Sequence, residues 1–121
     1  MAKHNEVGKR GEEIAAQFFQ EQGFTLLARN WRYRQAEIDL IAKDSLGELV
    51  FIEVRTRSSG RFGPAGSLSG KKMRLLADAA NAYLESIGHS WTYRFDLIGI
   101  ILVKNGPPLI EHYPDAFFPG S

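Results

Sequence analysis

The sequence predicts a single α/β or α+β domain with helices packed on a mixed sheet, and three observations carry that expectation. Apolar periodicity switches along the chain in the order helix, three strands, helix, one or two strands. The 121 residues suit one domain with one real core, and no repeat, linker or low-complexity stretch divides them, so residues 1–121 are read as one unit. The stretch from Ala36 to Arg57 alternates apolar and polar residues on both sides of Ser45-Leu46-Gly47, the pattern of a β-hairpin.

The first element is a helix from about Glu6 to Gln22, capped by Asn5 and ended by Gly23. Val7, Gly11, Ile14 and Phe18 fall on one stripe, widened by Ala15 and Phe19. Gly8 and Gly11 each cost ~1 kcal/mol relative to Ala in a helix, which points to close approach by another backbone. Glu12 lies at the border of this apolar face and can look toward a neighbouring sheet, whereas Glu13 points to solvent. Phe24 to Tyr33 reads as a strand, broken near Asn30. Its aromatic residues Trp31 and Tyr33 share a face and are expected in the core, leaving Arg32 and Arg34 available to phosphates.

In the hairpin, a three-residue loop with Gly47 in the left-handed region pairs Asp44 with Glu48. Counting back, Ala42 meets Val50, Leu40 meets Ile52 and Ile38 meets Val54 on one apolar face. On the other face Ile41 meets Phe51, Asp39 meets Glu53 and Glu37 meets Arg55. Ser58 to Ser69 is a Gly- and Pro-containing loop that carries Arg61 and, with Arg57, is suited to closing over a duplex. Ser69 caps a second helix from about Gly70 to Ile87, ended by Gly88, with Met73, Leu76, Ala80, Leu84 and Ile87 as its core stripe and Tyr83 nearby. Lys72 falls on its apolar side. Trp91 to Lys104 forms a long strand, Asn105-Gly106 a turn, and Leu109 to Tyr113 a short last strand, after which the two Phe of the tail dock on the core.

Composition narrows the chemistry. The chain has no cysteine, which removes disulfides, thiolate metal sites and cysteine nucleophiles. No apolar run reaches ~18 residues and no signal-peptide pattern opens the sequence, so a cytoplasmic protein without membrane contact is expected. His4, His89 and His112 have no ligand spacing. Net charge is +1, but the span from Arg29 to Arg74 carries ten Lys/Arg against five Asp/Glu. A basic field around clustered carboxylates suits a polyanion.

The hairpin register sets Asp39 against Glu53, and like charges directly opposed on adjacent strands are destabilising. A bound cation explains the arrangement. Mg2+ takes oxygen ligands, usually one or two carboxylates, with water and phosphate oxygens completing the shell. Such an ion polarises a phosphate and acidifies water, the requirement of phosphodiester hydrolysis. The Val54 carbonyl can add a ligand, and Arg55, two residues after Glu53, shares its face. A surface ion-pair ladder accounts for Glu37 and Arg55 but leaves Asp39 against Glu53 unexplained. Arg94 and Asp96 share a strand face and read as a buried structural ion pair.

Glu37-Ile38-Asp39-Leu40-Ile41 followed by Phe51-Ile52-Glu53-Val54-Arg55-Thr56-Arg57 resembles the YraN-type family of bacterial proteins, which is similar to archaeal Holliday-junction resolvases and to PD-(D/E)xK nucleases. The resemblance covers nearly the whole chain, with Gly8, Gly11-Glu12 and Ala15, Asn30-Trp31-Arg32, Lys72, Ala80 and Arg94-Phe95-Asp96 also matching. It implies a restriction-endonuclease-like αβββαβ core, a mixed sheet flanked by two helices. It implies Glu12, Asp39 and Glu53 as ligands of Mg2+ or Mn2+, with Asp39, Glu53 and Arg55 catalytic. It implies DNA as partner, branched DNA included, a homodimer by analogy, and phosphate contacts from Arg32, Arg34, Arg55, Arg57 and Lys72. Arg55 occupies the position of the nuclease lysine, and Ala36 stands where the pattern usually reads Gly. Arginine cannot act as a general base, so the alternative expectation is a nucleic-acid-binding domain that cuts weakly or not at all. Lys72 is the candidate to replace the missing ammonium, or it snorkels from the core edge.

Overall fold

The computed structural model describes residues 2–58, 70–88 and 92–117, with the backbone alone for residues 2–5 and 117. In chain order the elements are α1 (Ala2–Glu21), β1 (Thr25–Tyr33), β2 (Ala36–Lys43), β3 (Leu49–Arg57), α2 (Gly70–Ile87), β4 (Tyr93–Ile101) and β5 (Leu109–Phe117). The strands form one sheet in the order β1-β2-β3-β4-β5, with β3 and β4 parallel and the other neighbours antiparallel. A parallel pair needs a crossover, and α2 supplies it. This is the expected αβββαβ arrangement with β5 added at the edge. No helix among the described residues is long and apolar enough to cross a membrane.

The sheet is buried on both faces, as a mixed sheet between helices must be. On one face Ala15, Ala16 and Phe19 of α1 pack on Leu40, Ala42, Val50, Ile52, Ile98 and Ile100. On the other, Leu76, Ala79, Ala80, Tyr83 and Leu84 of α2 pack on Ala36, Ile38, Ile41, Leu49, Phe51 and Phe95. Trp31 and Tyr33 stack on this second face, with Trp31 edge-on to Tyr83, which is core packing as expected. Ile87 leaves the expected stripe and is exposed at the helix end.

Helix α1 begins at Ala2, so Asn5 lies inside it rather than at its cap. Gly23, Gly47 and Gly88 have positive φ where the helices and the hairpin turn end. Of the two glycines inside α1, Gly11 has a close neighbour, but it is the Thr56 side chain rather than a backbone, and a Cβ at Gly11 would collide with Thr56 Oγ1 and Cβ. A Cβ on Gly8 would meet nothing within 4 Å, so the close-approach reading fails for Gly8. Replacing Gly11 by Ala is expected to push α1 off β3 and cost about 1–3 kcal/mol, read by urea denaturation, despite alanine's better helix propensity.

The hairpin turn forms as the sequence dictates. Asp44 N donates to Glu48 O at 3.0 Å and Gly47 N to Asp44 O at 3.1 Å. The Asp44 carboxylate adds what the pattern did not reveal, accepting from Leu46 N and Glu48 N, both at 2.9 Å. The register Ala42↔Val50, Ile41↔Phe51 and Leu40↔Ile52 is the one counted from the turn.

Beyond Leu40 and Ile52 the ladder between β2 and β3 ends. The expected cross-strand pairs Ile38–Val54, Asp39–Glu53 and Glu37–Arg55 therefore do not form. Ile38 sits with Ile41 in the α2-facing core, although three residues apart they would face opposite ways in a regular strand. Ala28 and Trp31 of β1 do the same, and the register is identical on both sides of the step (Ala28↔Ile41, Trp31↔Ile38). Both strands change face together at Asn30 and Asp39. Asn30 absorbs the step with φ of 49°, a conformation asparagine tolerates better than most residues.

Strand β4 is shorter at its end than expected and β5 longer, reaching Phe117. Arg94 and Asp96 make the expected buried pair, Nε to Oδ1 at 2.9 Å. Asp96 also accepts from His112 Nε2 at 2.7 Å and from Asp115 N at 3.0 Å, so it ties β4 to β5. Of the Ser58–Ser69 loop only Ser58 is described; residues 59–69, with Arg61 and the Ser69 cap, and the tail after Phe117 lie outside the described residues.

Candidate functional site

The site grows out of the parting of β2 and β3. Once the two strands cease to pair, their edges open a cleft of about 530 Å³ lined by residues of β2, β3 and α2, among them Glu37, Asp39, Glu53, Val54, Lys71 and Lys72. The freed backbone needs a partner, and Asp39 Oδ2 accepts from Val54 N at 2.8 Å. That bond fixes the Asp39 carboxylate at the fork.

The change of face at Asp39 turns it and Glu37 toward α1. There Glu12 reaches in from the helix, as its place at the border of the apolar stripe predicts. One carboxylate oxygen from each of Glu12, Glu37 and Asp39 can lie within 4.8 Å of the others. Glu12 is steadied by Asn30, whose Nδ2 donates to Oε1 at 3.2 Å, and Glu37 by Arg32, whose Nε donates to Oε2 at 2.8 Å. Glu53 projects to the other face of the sheet. Its side chain is 8% exposed, and Oε2 lies 2.6 Å from Lys72 Nζ in the first turn of α2.

The electrostatics of this cleft are those of too many acids. Burial, then the Glu53 charge, with further contributions from Glu12 and Glu37, pushes Asp39 up to about 8 against the lowering effect of the Val54 amide. Glu12 is raised as well, by burial first and then by Glu37, with Arg29 opposing. Without a cation, both shifts favour the protonated acids.

The fit to a divalent ion follows from the donor set. Hard cations such as Mg2+ take oxygen ligands at ~2.1 Å, so ligand oxygens around one ion lie at most ~4.2 Å apart. The oxygens of Glu12, Glu37 and Asp39 are near that spacing and need only a small closure. Glu37 was absent from the ligand set expected from the sequence, because the regular register placed it opposite Arg55. The signal that could have found it is Asn30, the residue in β1 suited to a left-handed step. Glu53, expected as a ligand, lines the same cleft but is engaged by Lys72.

The expected phosphate contacts divide. Arg55 follows Glu53 on the same face of β3, and Lys72 lies at the cleft. Arg32 is 80% exposed at its rim, bonded to Glu37. Arg57 closes β3, its carbonyl accepting from Leu102 N at 2.7 Å. Arg34 is elsewhere, folded over the Tyr33 ring with its guanidinium carbon 5.2 Å from the centroid, in a second cleft with Asp78, Asn81 and Glu85.

Comparison with known proteins agrees with the motif. The model of the uncharacterised protein family UPF0102 matches residues 11–100. UPF0102 proteins of Phocaeicola vulgatus and Flavobacterium johnsoniae are 40% and 42% identical, each match covering 98% of both chains. That of Christiangramia forsetii is 43% identical over 119 residues. Among solved structures, that of an EndoMS–dsDNA2 complex is similar over 78% of this chain and 36% of its own, with a TM-score of 0.40 and 21% identity. The chain, with its Glu37-to-Arg57 motif on a forked hairpin between two helices, belongs to the UPF0102 family.

Proposed function

We propose that the protein is a divalent-metal-dependent nuclease-like domain that binds DNA at the fork of β2 and β3 and cleaves its backbone. The observation that carries this reading is the convergence of Glu12, Glu37 and Asp39 at a cleft whose other wall holds Glu53 and Lys72. Structural ion pairing does not explain three carboxylates gathered with a partly buried aspartate driven up to about 8. A cation that binds oxygen does explain them.

In this reading Glu12, Glu37, Asp39 and Glu53 hold Mg2+ or Mn2+. Bound there, such an ion would supply polarisation of a phosphate oxygen and acidification of a water. Asp39 is oriented by Val54 N, which donates to its Oδ2. Arg55 holds the scissile phosphate and stabilises charge as it develops, and, being always protonated, it takes no part as a base. Arg32, bonded to Glu37 at the rim, and Arg57, at the end of β3, would follow the flanking phosphates. Four-way and other branched DNA are the proposed substrates, through a homodimer that presents two clefts.

The engagement of Glu53 by Lys72 favours a second reading, a DNA-binding domain that does not cut. One experiment decides between them. Duplex, flap and four-way-junction DNA are incubated with the protein in Mg2+ and in Mn2+. The proposal expects cleavage that disappears in Asp39→Asn/Glu53→Gln. Salt-dependent binding with no cleavage at either metal leaves the binding domain. Cleavage that survives the double substitution removes the site. In either reading Arg55→Ala should weaken binding to all duplex sequences alike and lower the slope of log affinity against log salt by about one unit.

A further inference from the structure

The bond between Lys72 and Glu53 sits where the proposed function needs Glu53 free. Glu53 is buried, and its oxygen is 2.6 Å from an ammonium whose own side chain is 49% exposed. The other three carboxylates form a compact set without it. Lys72 also occupies an unfavourable place for a cation. It lies in the first turn of an 18-residue helix, beside Lys71 and with no acidic residue in that turn, where the helix dipole opposes positive charge. Glu53 compensates for that position. The same turn brings two lysines to the cleft wall, where a helix N-terminus favours an anion such as phosphate.

We propose that Lys72 is an exchangeable counter-ion: it holds Glu53 in the metal-free protein and moves to a phosphate of the nucleic acid when a divalent cation takes Glu53. This rests on the metal site proposed above. Glu53 Oε2 cannot keep an ammonium at 2.6 Å and serve a doubly charged ion at the same time, since the two positive charges repel. Lys72 has the means to leave, with a long flexible stem and half its surface in water. Its new partner lies in the same cleft, at the N-terminus of α2. Metal and nucleic acid therefore bind cooperatively, because each removes the competitor of the other, and the coupling is reciprocal. Lys72 acts on the metal through Glu53 and is a positioning residue in that respect.

The test is a titration of Mn2+ alone into wild type, Lys72→Met and Lys72→Arg, following free Mn2+ by electron paramagnetic resonance, with and without a short DNA duplex. Thermal unfolding of each variant confirms that it is folded. Lys72→Met is expected to bind Mn2+ roughly three- to tenfold more tightly than wild type without DNA, the value of a partly buried ion pair converted to affinity. Lys72→Arg, which keeps the charge, is expected to stay near wild type. DNA, whose phosphate oxygens would join the ion's shell, is expected to tighten Mn2+ binding in both proteins, and more in wild type, where it also draws Lys72 from Glu53. Equal, Asp39-dependent binding by wild type and Lys72→Met overturns the exchange and leaves the metal site standing. Equal tightening by DNA in both also overturns it. No Mn2+ binding by wild type or by Lys72→Met removes the metal site and the exchange together.

Discussion

Replacing Asp39 by Asn is expected to abolish metal-dependent cleavage and, in the absence of metal, to make the protein more stable at pH 8. The two effects have one cause. Burial at the fork raises Asp39, and the charges of Glu53, Glu12 and Glu37 raise it further, to about 8. In the unfolded chain the same carboxyl has its ordinary value near 3.8. Between pH 4 and 8 the folded protein therefore holds a proton that the unfolded chain has released. Stability from this group is complete below pH 4 and is lost as pH rises toward 8. Asparagine keeps the acceptor for Val54 N and carries no charge, so it removes the loss. Water in the cleft screens part of the effect, and a gain of about 1–3 kcal/mol at pH 8 is expected, with little difference at pH 4. Cleavage should fall roughly a hundredfold or more, since even the outer partners of metal ligands are worth ~10–100-fold. Urea denaturation across this pH range, with and without Mg2+, checks both halves. Added Mg2+ should stabilise wild type and do little for Asp39→Asn, because a ligand stabilises only a native state that binds it.

The second large effect lies at the other end of the sheet. Asp96 is 0% exposed and accepts from Arg94 Nε, His112 Nε2 and Asp115 N. Burial alone would raise its carboxyl, but the bonds from His112, Arg94 and the Asp115 amide together hold it below the ordinary value. Asp96→Ala leaves those donors facing a void. Arg94 keeps Glu48 at 3.2 Å and Asp44 at 3.6 Å, which limits the damage on its side. His112, edge-on to Phe18 and Phe19, keeps no charged partner among the described contacts. A loss of about 3 kcal/mol is expected, in the range for a broken buried ion pair, with β5 the first strand to exchange its amide hydrogens. The pH dependence has the opposite sign to that of Asp39. The contribution of Asp96 is present above pH 3.8 and disappears as pH falls through its lowered value. Asp96→Asn should accordingly flatten the acid limb of the unfolding curve.

These two carboxylates show what a sequence discloses. The hairpin register was legible because a three-residue loop ending in glycine fixes the count, and a period of two carries it as far as Leu40 and Ile52. It failed at Asp39, where β1 and β2 change face together. That step depends on one residue, Asn30, adopting a left-handed conformation, and apolar alternation does not encode it. The failure displaced Glu37 from the expected ligand set and turned an apparent Asp39–Glu53 pair into two residues on opposite walls of a cleft. Glu12 was legible because a helix stripe identifies which charged residue borders the core. Lys72 was legible in place, on the inward side of α2, but its bond to Glu53 required the crossing of two elements. Arg94 and Asp96 lie two apart in one strand and were read directly. His112 joined them only through β5, whose register bends at Asp115 with φ of 52°.

A crystal of the protein soaked in millimolar Mn2+ would show whether the fork of β2 and β3 is the divalent-cation site we propose. One anomalous density peak is expected, bounded by carboxylate oxygens of Glu12, Glu37 and Asp39, with Glu53 turned to it and Lys72 Nζ withdrawn from Glu53. A fork without density, its Lys72–Glu53 bond intact at full Mn2+ exposure, would contradict it.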